Sequence, residues 1–422
     1  MSSGTNLPEG THDLLASAPA ERQPLRSQMV IIFAARTVVN TAHRIVYPFL
    51  PSIARGLGIS LTAASGLVTA RMIAGLAAPF FGPLVDRRSR RGTMEIALGI
   101  FCLAGLLLVS AGTFAAGAVV AAVAAFVLYG LAKVLYDPTV LAYIGDMVPY
   151  RERGRAIGTI ELCWSSAWLV GVPVSGLLID HFDWRAPWMV LIGLGLLSLW
   201  LTHTGLPVSR PLTQQNANRH SVTQIIHAWR RILPHRRVAV LLLSSFLLTM
   251  SLELPFIVYG AWLETSFGLS LSTLGLASIV VGLAEATAEV GTALLTDRLG
   301  KRRSVLSGLI GLSASLLLLP YLASLGLVAA LVGVMVVMLT FEFSIVSLLP
   351  LATELAPGER ASLLSLNVTA FSLGRIAGAA GGGWLWLWRG EGIAPHAVAG
   401  ACCALGAALL MYFGMTEIEG ET

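Results

Sequence analysis

The segment Gly82-Pro-Leu84-Val-Asp86-Arg87-Arg-Ser89-Arg90-Arg91 sets one aspartate and four arginines between two apolar runs of helical length. Its echo in the second half of the chain is Ala293-Leu-Leu-Thr-Asp297-Arg298-Leu-Gly300-Lys301-Arg302. Each copy is followed by another landmark: Asp146-Met-Val-Pro149-Tyr-Arg-Glu-Arg153-Gly154 after the first, Glu354-Leu-Ala-Pro357-Gly-Glu-Arg360 after the second. Asp86 and Pro149 are 63 residues apart, Asp297 and Pro357 are 60. Matched landmarks at matched separations mark a duplicated unit. In membrane proteins, duplicated halves enclose a site near the midplane and rock around it.

Around these landmarks the chain is apolar. Of 422 residues, 55% are hydrophobic and 12% charged, about half the charge of an ordinary soluble domain, ~25%. A soluble enzyme, a nucleic-acid-binding module and a disordered chain are excluded by that balance. Runs long enough to span a bilayer lie at 29–51, 61–81, 94–111, 118–144, 156–178 and 186–203, then at 238–263, 272–295, 304–323, 328–351, 361–386 and 396–416. They are continuously apolar instead of alternating, which excludes a β-barrel. The expected fold is all-α and polytopic: twelve transmembrane helices in two six-helix bundles, 29–203 and 238–416. Residues 1–28 read as a disordered cytosolic tail without a signal-peptide h-region, and 417–422 as a short second tail.

Twenty of the 28 basic residues fall in the tail and in the loops on its side; three, Arg55, Arg185 and Arg389, fall opposite. The positive-inside rule then puts both termini in the cytosol. Trp184, Trp188, Trp384, Trp386 and Trp388 come out at the outer interface. The linker 204–237 carries Val222, Ile225, Ile226, Trp229 and Ile232 at helical spacing among arginines, with Ser221 and Gln224 spaced as a capping box. It reads as an interfacial amphipathic helix in preference to a partner-binding peptide. Cys102, Cys163, Cys402 and Cys403 lie in apolar runs without metal-ligand spacing, so no metal is expected.

At these residues the sequence resembles the major facilitator superfamily. The Gly82–Arg91 segment is similar to that family's motif A, with Ser89 in place of its second glycine. Tyr136-Asp-Pro138 through Arg155, and Phe182-Asp-Trp-Arg-Ala-Pro187, are similar to the regions around spans 4–5 and 6 of bacterial members. Gly171-Val-Pro173-Val-Ser-Gly176 is similar to the glycine–proline motif of proton-coupled drug and amphiphile exporters, with two glycines replaced. The resemblance implies a transporter working by alternating access. It also implies a gate built on Gly82, Asp86, Arg87, Arg90 and Asp146, with Asp297 and Arg298 as the second-half copy. Asp86 would cap the N-terminus of span 11, and Arg90 would pair with Asp146.

Charged groups within spans cost at least ~2.5–3.5 kcal/mol each at a helix centre, so they mark function. Arg36, Asn40 and Arg44 share one face of span 1, and Lys133 and Asp137 one face of span 4, beside Tyr136. With Arg71, Glu161 and Arg375 these form the candidate substrate cavity. Glu253, Glu285 and Glu342 come out near the midplane and are the candidate proton carriers, because desolvation favours a neutral carboxyl. Glu289 lies nearer the inner face and Glu264 at the outer rim. The first half is cationic within the membrane and the second anionic, which suits a small or amphiphilic, zwitterionic solute. The rival use of each charge is to pair with another and hold helices together.

No phosphate-loop motif is present, so the energy comes from an ion gradient or the substrate's own gradient. The expectation is proton-coupled efflux by a monomer in the cytoplasmic membrane. Its partners are a small-molecule or lipid-like substrate, the bilayer and a proton or other ion, with neither cofactor nor nucleic acid. Ion-coupled or facilitated uptake is the alternative. A polytopic membrane enzyme is more remote, because no G-x-S-x-G or H-E-x-x-H occurs and His43 is the one histidine inside a span, away from its ends.

Overall fold

The computed structural model describes residues 24–77, 89–111, 117–207, 227, 229–355, 359–390 and 392–415. Among them helix is the regular structure throughout, as a bilayer requires of apolar runs whose backbone groups must find partners within their own segment. Span 1 is Leu25–Arg44 with Val46–Leu57, span 2 Leu61–Leu76, span 3 Arg90–Ala111 and span 4 Ala118–Met147. Span 5 runs from Tyr150 to His181 and span 6 is Ala186–Gly205. Span 7 is Arg236–Phe256 with Tyr259–Phe267, and span 8 is Leu271–Ala277 with Ile279–Leu299. Spans 9 to 12 are Lys301–Ser324, Leu327–Leu355, Arg360–Arg389 and Ala394–Gly414.

Ten of these are long and apolar enough to cross a membrane in one piece. Span 1 makes an eleventh when its two parts, bent by 59°, are joined, and span 2 is a shorter apolar helix. The breaks in spans 1, 5 and 7 lie beside proline, which cannot donate to the carbonyl four residues back, whereas that in span 8, at Ser278, has none nearby. Pro48 follows the bend in span 1, Pro255 precedes the break in span 7, and Pro173 follows a π-helical turn, Ala167–Gly171, in span 5. Span 1 begins at Leu25, inside the stretch read as tail. Its first turn is ordered by Gln28, which is buried and accepts a 2.6 Å hydrogen bond from the Tyr143 hydroxyl.

Packing repeats with the sequence. Span 3 lies on spans 4 and 6, span 2 on span 4, and span 1 on spans 5 and 6; six spans later, 9 lies on 10 and 12, 8 on 10, and 7 on 11 and 12. The halves meet through spans 2 and 11, 5 and 8, and 1 and 7, a set that also maps onto itself under the same shift. At the end away from the arginine-rich loops, Val46–Leu57 packs on Tyr259–Phe267 and Val172–His181 on Leu271–Ala277. The backbones touch there: a Cβ on Gly260 would overlap the Pro48 backbone, and one on Gly176 the Leu271 carbonyl. Arg55 Nη1 and Glu264 Oε1 complete this closure at 2.8 Å.

Two expectations about aromatic residues are corrected here. Trp184 and Trp188 are not interfacial: both are buried. Trp184 fills the space left by Gly56, and Trp188 packs against the rings of Phe126 and Tyr129. Trp384 and Trp388 do project from the fold, stacked at 5.2 Å. Of the linker helix, only residues 227 and 229–233 fall among the described residues. Trp229 Nε1 there donates to Ser365 on span 11 at 3.3 Å.

Candidate functional site

Two adjoining cavities lie between the halves. The larger, about 440 Å³, is lined by His43, Arg44 and Tyr47 of span 1, Arg71 of span 2, Lys133 and Asp137 of span 4, Trp164 of span 5, and Phe371 and Arg375 of span 11. The smaller, about 190 Å³, shares Arg44, Trp164 and Arg375 and adds Glu161, Glu285, Glu289 and Glu342. One chamber is therefore mostly basic and the other mostly acidic, with Arg44 and Arg375 on their common wall.

Local helix geometry delivers these groups. Lys133 and Asp137, one turn apart, form a 2.8 Å ion pair, and Lys133 Nζ also donates to Asn40 Oδ1 at 2.5 Å. Arg36 reaches Asp137 at 3.2 Å and Glu161 at 2.9 Å, and its Nη1 donates to the Ile160 carbonyl. Spans 1, 4 and 5 are thus tied by one chain of charges. The face of Trp164 carries Lys133 Nζ at 3.9 Å and the Arg44 guanidinium at 4.7 Å. Such cation–π contacts help hold cations away from bulk water.

Among the described residues, one ion pair crosses between the halves within the cavities. Arg44 Nη2 of span 1 meets Glu285 Oε1 of span 8 at 2.5 Å. The same oxygen accepts from Trp168 Nε1 at 3.2 Å, and Oε2 is buried without a partner. Glu253 is likewise buried, accepting from the Tyr47 hydroxyl at 3.4 Å through one oxygen and left unpartnered at the other.

A six-plus-six succession of paired helices, a pseudo-twofold packing pattern and a polar cavity between the halves are joined by one further observation. The family model described as Major Facilitator Superfamily matches residues 32–378, and again 241–420. The chain belongs to the Major Facilitator Superfamily. Among its superfamily relatives, the uncharacterized MFS-type transporter YceJ of Bacillus subtilis (strain 168) is 25% identical over 357 residues, covering 84% of this chain and 88% of YceJ. The multi-drug resistance efflux pump PmrA homolog of Lactococcus lactis subsp. lactis (strain IL1403) is 26% identical over 294 residues, covering 64% and 67%. A crystal structure of a D-xylose-proton symporter aligns with TM-score 0.75 over 94% of this chain and 99% of that one. At 19% identity that likeness is one of fold.

Within the superfamily fold, the residues singled out from sequence separate into three groups. Arg44, Arg71, Lys133, Asp137 and Arg375 line the larger cavity, and Arg44, Glu161, Glu285, Glu342 and Arg375 the smaller. Arg36, Asn40, Tyr136 and Glu253 line neither. Arg36 and Asn40 sit behind the wall and hold its charges. Tyr136, one step round the helix from Asp137, is buried in the core with its hydroxyl unpartnered. At the arginine-rich end Arg90 Nε donates to Asp146 Oδ2 at 3.1 Å. The corresponding pair six spans on is Lys301 with Glu354. Gly82, Asp86 and Arg87 lie outside the described residues, as do the side chains of Asp297 and Arg298. Tyr47 and the Arg55–Glu264 pair were missed. Tyr47 follows Arg44 by three residues on the same face, and Arg55 and Glu264 close equivalent spans, so both carried a spacing signal.

Proposed function

We propose that this chain exports an amphiphilic solute across the cytoplasmic membrane by alternating access, in exchange for protons. The observation that carries this reading is the Arg44–Glu285 pair, which joins the two halves inside the cavities. A proton taken by Glu285 cancels its charge and leaves Arg44 able to bind another anion. A carboxylate partner on the other half is then exchanged for substrate, and the two halves are released from one another. Glu342 and Glu289 of the same chamber supply a path for that proton. The efflux-pump relative supports the outward direction. In this orientation both termini and the arginine-rich loops face the cytosol. Arg90, Asp146 and Asp86 hold the inner gate. Asp86→Asn is expected to lower transport without loss of folded protein, and wild-type transport by that variant rejects the gate.

The test of coupling is a pair of proteoliposome assays on Glu285→Gln. Accumulation driven by a pH gradient is expected to vanish while substrate exchange at equal pH persists, since exchange needs no proton turnover. If Glu285→Gln keeps gradient-driven accumulation, the proton does not pass through Glu285. Glu253→Gln and Glu342→Gln, assayed alongside, then decide whether either of the remaining midplane carboxylates carries it.

A further inference from the structure

The charges of the larger cavity do not balance. Asp137 is the one acid on its wall, and Arg36 and Lys133 already share it. Arg44 is occupied by Glu285. Arg71 and Arg375 remain, one from each half, and among the described residues neither has a carboxylate within 4.0 Å. Arg71 is 2% exposed. Its Nη1 donates to the His43 carbonyl at 3.0 Å and its Nη2 to the Tyr47 hydroxyl at 3.5 Å, both neutral groups, while Nε is buried with no partner at all. The nearby carboxylate of Glu253 takes its hydrogen bond from Tyr47 instead of either guanidinium. A desolvated guanidinium without a counter-ion is costly, and a carboxylate, sulfonate or phosphate offers oxygens that match its fork.

Beside His43, Tyr47 and Ser372, the uncharged lining is largely apolar, with Met72, Val134, Leu141, Val368 and Phe371. We propose that the larger cavity binds an amphiphilic anion, its acid group clamped between Arg71 and Arg375 and its apolar body on the Met72–Phe371 wall. This rests on the cavity being the transport site. A cationic drug would meet Arg44, Arg71, Lys133 and Arg375 together, which like-charge repulsion forbids. Four of the glutamates that would repel an anion line the smaller chamber, and the fifth, Glu253, lies behind Tyr47 and lines neither. The acid group then bridges the halves through Arg71 and Arg375, beside the Arg44–Glu285 bridge, so anion and proton act on neighbouring inter-half contacts.

Three probes of one skeleton separate charge from shape: 2-naphthoate, its neutral isostere 2-naphthamide, and the cation 2-naphthylmethylamine. Binding to the purified full chain is measured by isothermal titration calorimetry. Naphthoate is expected to bind at least about tenfold tighter than naphthamide, as a charge-assisted hydrogen-bonded pair requires, and the amine not to bind. Arg71→Gln and Arg375→Gln should each bring the acid-to-amide ratio close to one. Arg71→Lys, which keeps the buried charge and loses the fork, should weaken naphthoate and spare naphthamide even where Arg71→Gln does not fold. Repeating the titration in nanodiscs with and without phosphatidylglycerol distinguishes the source: competition points to an anionic lipid headgroup, its lack to a free solute. Equal binding of acid and amide, tighter binding of the amine, or binding of none of the three overturns the proposal. If the amine is bound and also moved in proteoliposomes, the anion class falls while transport stands. If naphthoate binds with the expected preference and nothing is exchanged, the site stands and export falls.

Discussion

Asp137 is the single acid that answers two cations, Arg36 at 3.2 Å and Lys133 at 2.8 Å. Removing its charge would leave Lys133 with only Asn40 and the Trp164 face, and Arg36 with Glu161 and the Ile160 carbonyl. Breaking a buried pair from one side costs about 3–5 kcal/mol, so Asp137→Asn is expected to lower the thermal midpoint of the purified protein clearly. Lys133→Met in the same chain should recover part of the loss by removing a cation left over. A double variant no more stable than Asp137→Asn would show that the pair is not coupled. Spacing in the sequence made this pair legible, because residues four apart on a helix meet wherever the helix sits. The Arg44–Glu285 contact was not legible. It depends on how span 1 and span 8 are rotated toward each other, and 241 residues separate the two. Tyr136 failed for the complementary reason: adjacency in sequence is a large rotation around a helix, so it faces the core while Asp137 faces the cavity.

At the scale of elements, closure at the end away from the arginine-rich loops rests on short inter-half segments, Val46–Leu57 on Tyr259–Phe267 and Val172–His181 on Leu271–Ala277. Glycines there admit backbone approach, and Arg55–Glu264 adds the one ion pair that joins the halves at that end among the described residues. Alternating access must break these contacts in the opposite state. Charge reversal offers a clean probe. Arg55→Glu should set two carboxylates against each other and shift the population toward opening at that end, read as faster alkylation of a cysteine placed at Ser272, beside the Gly176–Leu271 contact. Arg55→Glu with Glu264→Arg should restore the wild-type rate. If the single reversal leaves labelling unchanged, the pair does not help hold that end shut. Repeats, spans and charge asymmetry could be read from the sequence because they are set by composition and period. Aromatic placement could not: Trp184 and Trp188 stand where belt residues stand, yet Gly56 and the packing of Phe126 and Tyr129 draw them inward.

For the whole molecule, direction and coupling meet in the electrical balance of one cycle. If an anion leaves as a proton enters, both movements carry positive charge inward. Each elementary charge crossing the membrane is worth about 2.3 kcal/mol per 100 mV, so an inside-negative potential drives a one-for-one exchange through roughly twice that. A zwitterion exchanged for one proton would feel half the effect, and uptake of an anion with one proton none. Right-side-out vesicles with a potassium diffusion potential, inside negative, are therefore expected to accelerate loss of a preloaded anion, with inward current, at zero pH gradient. Orientation is checked in the same vesicles by a single cysteine at the C-terminus, in a background lacking Cys102, Cys163, Cys402 and Cys403. An impermeant maleimide should leave it unlabelled. Loss that ignores the potential would rule out this stoichiometry, and ready labelling would invert the molecule, turning the arginine-rich end outward. The segregation of charge suits the electrogenic case: cations line the chamber proposed for the anion, carboxylates the one proposed for the proton, and Arg44 lies on the wall between them.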